Sequence, residues 1–292
     1  MTSAIIERKA VSTISDASQS PRDGIAASLP SQRRRAGGGR IKATLAANRF
    51  LLAKLASIAV TLLVWDIYGR GVNPIFISYP TAILAVLPQM ITSGELGSAF
   101  LESLGPFLLG WCAAIALGII VGLLMGRYAY FDAVLDAQMM ALYSAPTVAL
   151  VPLFILWLGI GFSAKVAIIF LSAFFPIALN AYGGAKSVTT DLTNIGRVEN
   201  AREDQIFTKI VIPASVPYIM TGIRLSVGRA VVGMVVAEMF TAIGGLGGRI
   251  VLYSSTYKTD RLFVIIIVLS ALGVVLSYLT KRLEAAFLPW RM

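Results

Sequence analysis

Residues 103–126, SLGPFLLGWCAAIALGIIVGLLMG, contain no Asp, Glu, Lys or Arg. About 20 apolar helical residues cross the hydrocarbon core of a bilayer, so this run is long enough to span one. Residues 137–164, 166–185 and 262–280 are likewise uncharged. Residues 50–65 carry only Lys54, near an end, where its ammonium can snorkel to the interface. Residues 210–248 form another apolar stretch, interrupted by Arg224, Arg229 and Glu238. Six spans follow, at about 50–68, 102–126, 134–158, 164–185, 211–241 and 262–280. An isolated span must satisfy its own backbone groups, which makes each a helix and the fold an all-α polytopic transmembrane bundle.

Composition agrees. The 292 residues are 57% hydrophobic and 14% charged, against about 45–50% and about 25% in soluble domains. Disordered, collagen-like and disulfide-scaffold classes are excluded. The single cysteine, Cys112, has no intramolecular partner. The absence of histidine removes the commonest metal ligand and general base. No acid–base pair or nucleophile constellation appears, so no catalytic or metal-binding residues are assigned.

The net charge of +10 is unevenly placed. Nine of the 25 Lys/Arg precede Phe50, in a Ser-, Gly-, Ala- and Arg-rich tail over residues 1–49 that reads as disordered. A basic tail before a first span suits a cytoplasmic N-terminus beside membrane lipid rather than nucleic acid. No early apolar core marks a cleaved signal peptide. Seventeen Lys/Arg fall on the tail and segments 127–133, 186–210 and 281–292, against four on 69–101, 159–163 and 242–261. Both termini are therefore expected inside a bacterial inner membrane. Residues 79–95, too short to span, read as an amphipathic helix on the outer surface.

Gly118, Gly122 and Gly126 lie on one face of the second span and permit close helix approach, a packing feature. Gly244–Gly248 lacks the Lys-Ser/Thr of a phosphate loop, and no other stretch supplies it, so the chain is not expected to bind ATP. The segment 186–209 is unusual in carrying four charges of each sign. Leu192, Ile195 and Val198 recur in it at near-helical spacing, and Thr190 or Asp191 suits a helix cap. On composition a docking surface and a solvated loop are equally compatible with it.

The residues that follow, Ile210-Val211-Ile212-Pro213 and Pro217–Leu225, resemble the membrane permeases of binding-protein-dependent ATP-binding-cassette (ABC) importers. That family has a cytoplasmic motif of Glu-Ala-Ala, three residues, Gly, nine residues, then Ile-x-Leu-Pro. Aligned on Pro213, its glycine falls at Asn200 and its triplet at Asn194-Ile195-Gly196; this chain departs at both and keeps Ala201. Residues 144–161, Lys165, Phe174-Phe175-Pro176, Ala237-Glu238-Met239 and Gly244-Gly245-Leu246-Gly247 extend the resemblance over roughly 75–285. They are similar to the branch importing nitrate, aliphatic sulfonates, taurine and related compounds such as vitamin precursors. Pro106 stands where that branch often has Arg.

The resemblance implies a type I permease fold and a pair of permease chains, here a homodimer. Each chain rests its loop on an ABC ATPase subunit that carries the ATP and magnesium, and a solute-binding protein delivers cargo outside. No cofactor is then bound by this chain, which is not itself an enzyme. The loop 186–210 becomes the coupling loop, its docking helix spanning Asp191 to Lys209. Asp191, Ile195, Val198, Glu199, Asn200, Ala201 and Arg202 lie at the ATPase, and Ile210 to Pro213 link to the fifth span. Ile195 and Val198 are the expected apolar anchors.

Charges inside a membrane are costly and suggest function. Glu238 and Arg224 are about 21 Å apart along one helix and cannot pair there. Glu238 reads as an interhelical packing bond or, less simply, a substrate contact. Tyr143, Thr147 and Asn180 are polar positions that line a pathway or bond to neighbouring helices. An ion-coupled secondary transporter and a non-transporting scaffold or sensor subunit are the rival functions. The first lacks a visible inverted repeat.

Overall fold

A computed structural model describes residues 38–241 and 244–287, with side chains from Arg49 onward except that of Thr190. The expected tail falls outside these residues as far as position 37, as do positions 288–292. The chain divides into two units at Ile58. The first contributes the start of helix α1, Gly38–Gly71. Residues 38–49 are thus helical rather than part of a disordered tail; Lys42, Leu45, Ala46 and Ala47 are good helix formers with no proline among them.

The second unit, Ala59–Met292, holds the remaining elements. These are α2 (Pro80–Thr92), α3 (Glu95–Arg127), α4 (Ala129–Ser144), α5 (Thr147–Leu158), α6 (Phe162–Lys186), α7 (Thr190–Val198) and α8 (Glu203–Ile206). A π-helical turn, Phe207–Val211, leads into α9 (Ile212–Thr241), followed by α10 (Gly245–Ser255) and α11 (Thr259–Phe287). Among the described residues, five helical stretches are long and apolar enough to cross a membrane, and the α4–α5 pair makes a sixth if counted as one broken span.

That pair corrects the expectation of one helix over 134–158. A bend of 100° separates α4 from α5. Pro146 has no amide to donate and pushes the residue before it out of helical geometry, and Ala145 accordingly sits at ψ 135°.

The core is built on α6, which packs along both α3 and α9. Its small residues Ala173, Ala178, Ala181 and Ala185 are buried. The glycine ladder of α3 meets them: a methyl group at Gly122 would fall 2.7 Å from Ala181 Cβ and 2.9 Å from the Tyr182 amide. Phe107, Ile169, Ile177, Met234, Tyr253 and Ile265 fill the centre. In lipid no hydrophobic force separates helices from tails, so this close approach and interhelical bonding hold the bundle together.

Candidate functional site

Helix α7 begins after Thr189, whose side chain makes no capping bond, and Asp191 stands in its first turn, favourably placed against the helix dipole. Leu192, Ile195 and Val198 all point to solvent, Val198 at 79% and Ile195 at 60% exposure. The opposite side is fastened to the chain that follows, with Gly196 against the side chains of Ile206 and Ile210.

The expected continuous docking helix, Asp191 to Lys209, is broken. Asn200 adopts φ +55°, the Ala201 amide donates to the Gly196 carbonyl at 2.9 Å, and the Asn200 amide donates to the Arg197 carbonyl at 3.0 Å. These are the two bonds of a Schellman stop, which needs a left-handed residue after the C-cap. Glycine is the usual occupant, and asparagine is among the few side chains that tolerate the conformation. The position that aligns with the glycine of the family motif is left-handed in this chain and is held by asparagine.

Beyond the stop, Glu203 accepts hydrogen bonds from Arg197 Nε at 3.0 Å and from Arg127 at the end of α3. Glu199 is the C-cap of α7, and Arg202 pairs with Asp204 at 3.2 Å on the surface. Ile206 is fully buried. Val211 packs with Leu123, Ala181, Ala185 and Ile219, with half-buried Ile212 beside them. Ile210 lies in the π-helical turn just before this contact, and Pro213 is the second residue of α9. The loop presents an apolar ridge outward and is fixed inward to α3, α6 and α9.

At the other end of α9, Glu238 is 0% exposed. Its Oε2 accepts the Ser103 hydroxyl at 2.9 Å and the Gly247 amide at 2.8 Å, and its Oε1 lies 3.7 Å from the buried Lys165 ammonium. Ser103 Oγ accepts the Leu246 amide at 2.8 Å, and Glu102 Oε2 accepts the Gly245 amide at 2.6 Å. Three successive amides at the start of α10 are thus capped by three side chains, which satisfies orphan donors and places negative charge at a positive helix end. Gly245 has φ +75°, and a methyl group at Gly247 would fall 2.7 Å from Glu238 Cβ. The glycine-rich run permits this contact. Through these contacts Glu238 ties α9 to α3, α6 and α10.

Further out, Glu95 pairs with Arg249 at 3.0 Å and Arg261 at 3.3 Å and accepts the Tyr253 hydroxyl. Burial, followed by the nearby Glu95 carboxylate, raises the Tyr253 phenol above its usual range, so it stays protonated and donates.

The remaining polar positions separate. Asn180 donates to the Pro176 carbonyl of its own helix at 2.7 Å. Tyr143 is exposed and its ring lies 6.0 Å from that of Phe175. Thr147 lines a cavity with Ser172 and Arg229. Arg224 pairs with Glu284 of α11. Sequence reasoning missed the partners: Lys165 and Ser103 for Glu238, and Arg127 for Glu203. Each joins elements far apart in the chain, and only the unpaired charge of Glu238 gave a signal that a partner was needed.

The described helices form a polytopic bundle in which α9 joins an apolar-ridged, charged loop to the capped helix α10. Residues 114–288 match the family described as binding-protein-dependent transport system inner membrane component, and the chain belongs to that family. It is a multi-pass inner-membrane permease component of ABC importers. It is 32% identical over 235 residues to a putative aliphatic sulfonates transport permease of Bacillus subtilis, covering 80% of this chain and 85% of the relative. It is 33% identical over 227 residues to a nitrate import permease of a Synechocystis species, covering 75% and 82%. The fold is similar to the solved methionine ABC transporter MetNI in inward-facing form, with TM-score 0.55 at 20% identity over 64% of this chain and 93% of that one.

Proposed function

We propose that two copies of this chain form the pathway of an ATP-driven importer for a small anionic or zwitterionic solute of the nitrate, sulfonate and taurine kind. A separate ATPase subunit seats on α7 and carries the ATP and magnesium, and an extracytoplasmic binding protein delivers the cargo. The loop and both termini face the cytoplasm, and this chain performs no chemistry on ATP.

The observation that carries the reading is the two-sided character of α7. Its ridge of Leu192, Ile195 and Val198 is exposed among the described residues, while its other face is anchored through Ile206 and Ile210 to α9. An apolar helical ridge rimmed by charge suits a groove on a partner protein. Movement of that partner pushes α7, and the Arg127–Glu203 bond and the Val211 contact pass the push to α3 and α9. Helix α9 is 30 residues, about 45 Å long, and its far end is locked to α10 by Glu238. A displacement at the loop thus reaches the outer face as a rigid shift, a two-state element biased by a partner's ligand.

Proteoliposomes holding this chain with its ATPase, supplied with loaded binding protein, should accumulate nitrate, taurine or an alkanesulfonate only when ATP is present. Uptake by this chain alone, driven by a proton or sodium gradient, would establish a secondary transporter instead.

A further inference from the structure

Arg229 lies near the middle of α9, on the chain's own surface, and among the described residues no carboxylate lies within salt-bridge distance of it. Two other cations within the spans, Lys165 and Arg224, each hold a carboxylate. A guanidinium in the middle of a membrane span is costly to leave against lipid. It opens onto a cavity of about 180 Å³, lined also by Thr147, Val151, Ile168, Ser172 and Gly233.

The lining of the cavity points to one ligand chemistry. Arg229 presents a planar fork of donors, suited to two oxygens of one oxyanion. Thr147 and Ser172 add hydroxyls; the Ser172 hydroxyl now donates to the Ile168 carbonyl at 2.8 Å and can rotate to a ligand. Gly233 leaves the room: a methyl group there would fall 2.6 Å from Ser172 Oγ. Thr147 is also the first residue of α5 after the 100° break, so the N-terminus of that helix lies at the cavity wall. Buried Val151 and Ile168 form an apolar wall that excludes larger polar solutes. The volume suits a compact solute rather than a drug-sized one.

We infer that Arg229, Thr147 and Ser172 form a transient oxyanion site part-way along the permeation path, gripping the nitrate or sulfonate head of the cargo as it crosses. The inference rests on the anionic-cargo reading above and adds the residues that meet the anion.

The test uses the permease–ATPase complex in nanodiscs with labelled nitrate and labelled ethanesulfonate as probes and glycerol as the neutral control. Saturable binding of at least one anion by the wild type is expected. Arg229→Gln should weaken it tenfold or more. Arg229→Lys, which keeps charge but not the fork, and Thr147→Val should each weaken it several-fold. Melting temperature and dimer mass should stay unchanged in all three. Equal anion binding by Arg229→Gln, or no saturable anion binding by the wild type, overturns the site. Dissociation of the dimer in Arg229→Gln also overturns it, because Arg229 would then pair with the second copy. Anion import by the wild type with Arg229→Gln unaffected sinks this site alone, whereas import restricted to neutral solutes sinks the cargo reading as well.

Discussion

The Glu238 carboxylate accepts the Gly247 backbone amide at 2.8 Å, joining the C-terminal end of α9 to the first turn of the helix after it. The same carboxylate faces the Lys165 ammonium at 3.7 Å, with both side chains buried. A buried charge stripped of its partner is strongly destabilising, whereas replacing both members of a pair is often tolerated.

Glu238→Ala should therefore cost about 3–5 kcal/mol, read as a lower midpoint of thermal unfolding in detergent. Glu238→Gln keeps an acceptor for Gly247 and should cost less. Adding Lys165→Met to Glu238→Gln should recover part of the loss. If the double variant is no more stable than Glu238→Gln, the Lys165 contact contributes nothing and Glu238 acts through its hydrogen bonds alone.

Gly122 lies where α3 and α6 are closest. A methyl group there meets backbone atoms of Ala178 and Tyr182 as well as Ala181 Cβ, and backbone cannot turn aside as a side chain can. Gly122→Ala should cost about 1–3 kcal/mol by overpacking, whereas Gly183→Ala, with open space around it, should be near neutral. Equal unfolding midpoints for the two variants would contradict the packing described.

Asn200 stands at φ +55°. The left-handed conformation costs roughly 1–2 kcal/mol for a side chain without local compensation. Asn200→Gly should leave or slightly raise stability and retain uptake. Asn200→Val should misplace α7 and lower uptake while the spans stay folded. Uptake by Asn200→Val equal to wild type would show that the turn does not position the loop.

Much of this was legible in the residues before any coordinates. Uncharged runs located the spans because the bilayer penalises charge along a fixed length. The periodicity of Leu192, Ile195 and Val198 marked a helix with an unpartnered face. The breaks were harder to see. Pro146 lies in a run whose hydropathy is unbroken, and hydropathy carries no information on direction. Asn200 ends a helix through backbone geometry, which composition hides. Residues 38–49 were judged by their polar composition, although their helix propensity is ordinary. Lys165 sits at the edge of an apolar run and looks like a boundary residue until its distance to Glu238 is known.

Orientation can be read from accessibility. On a Cys112→Ser background, needed because Cys112 is exposed, a cysteine at position 254 should react with an impermeant reagent from outside. One at position 205 should react only after the membrane is opened. Labelling of position 205 from outside would invert the topology.

The ATPase contact is the centre of the account, and Val198 tests it most directly. Its side chain is 79% exposed at the end of the α7 ridge and contributes little to the fold of its own chain. Aspartate there would carry a charge into an apolar groove, at a cost of several kcal/mol unless it met a partner. The measurement is the amount of ATPase subunit that co-purifies with Val198→Asp, set beside Ile195→Asp and Arg202→Ala, with permease dimer mass recorded on the same samples. The expected result is an intact permease that has lost its ATPase in both Asp variants and kept it in Arg202→Ala, whose exposed ion pair contributes about 0–1 kcal/mol. Full retention of the ATPase by both Asp variants would show that residues 190–198 are an ordinary solvated helix and that the ATPase docks elsewhere.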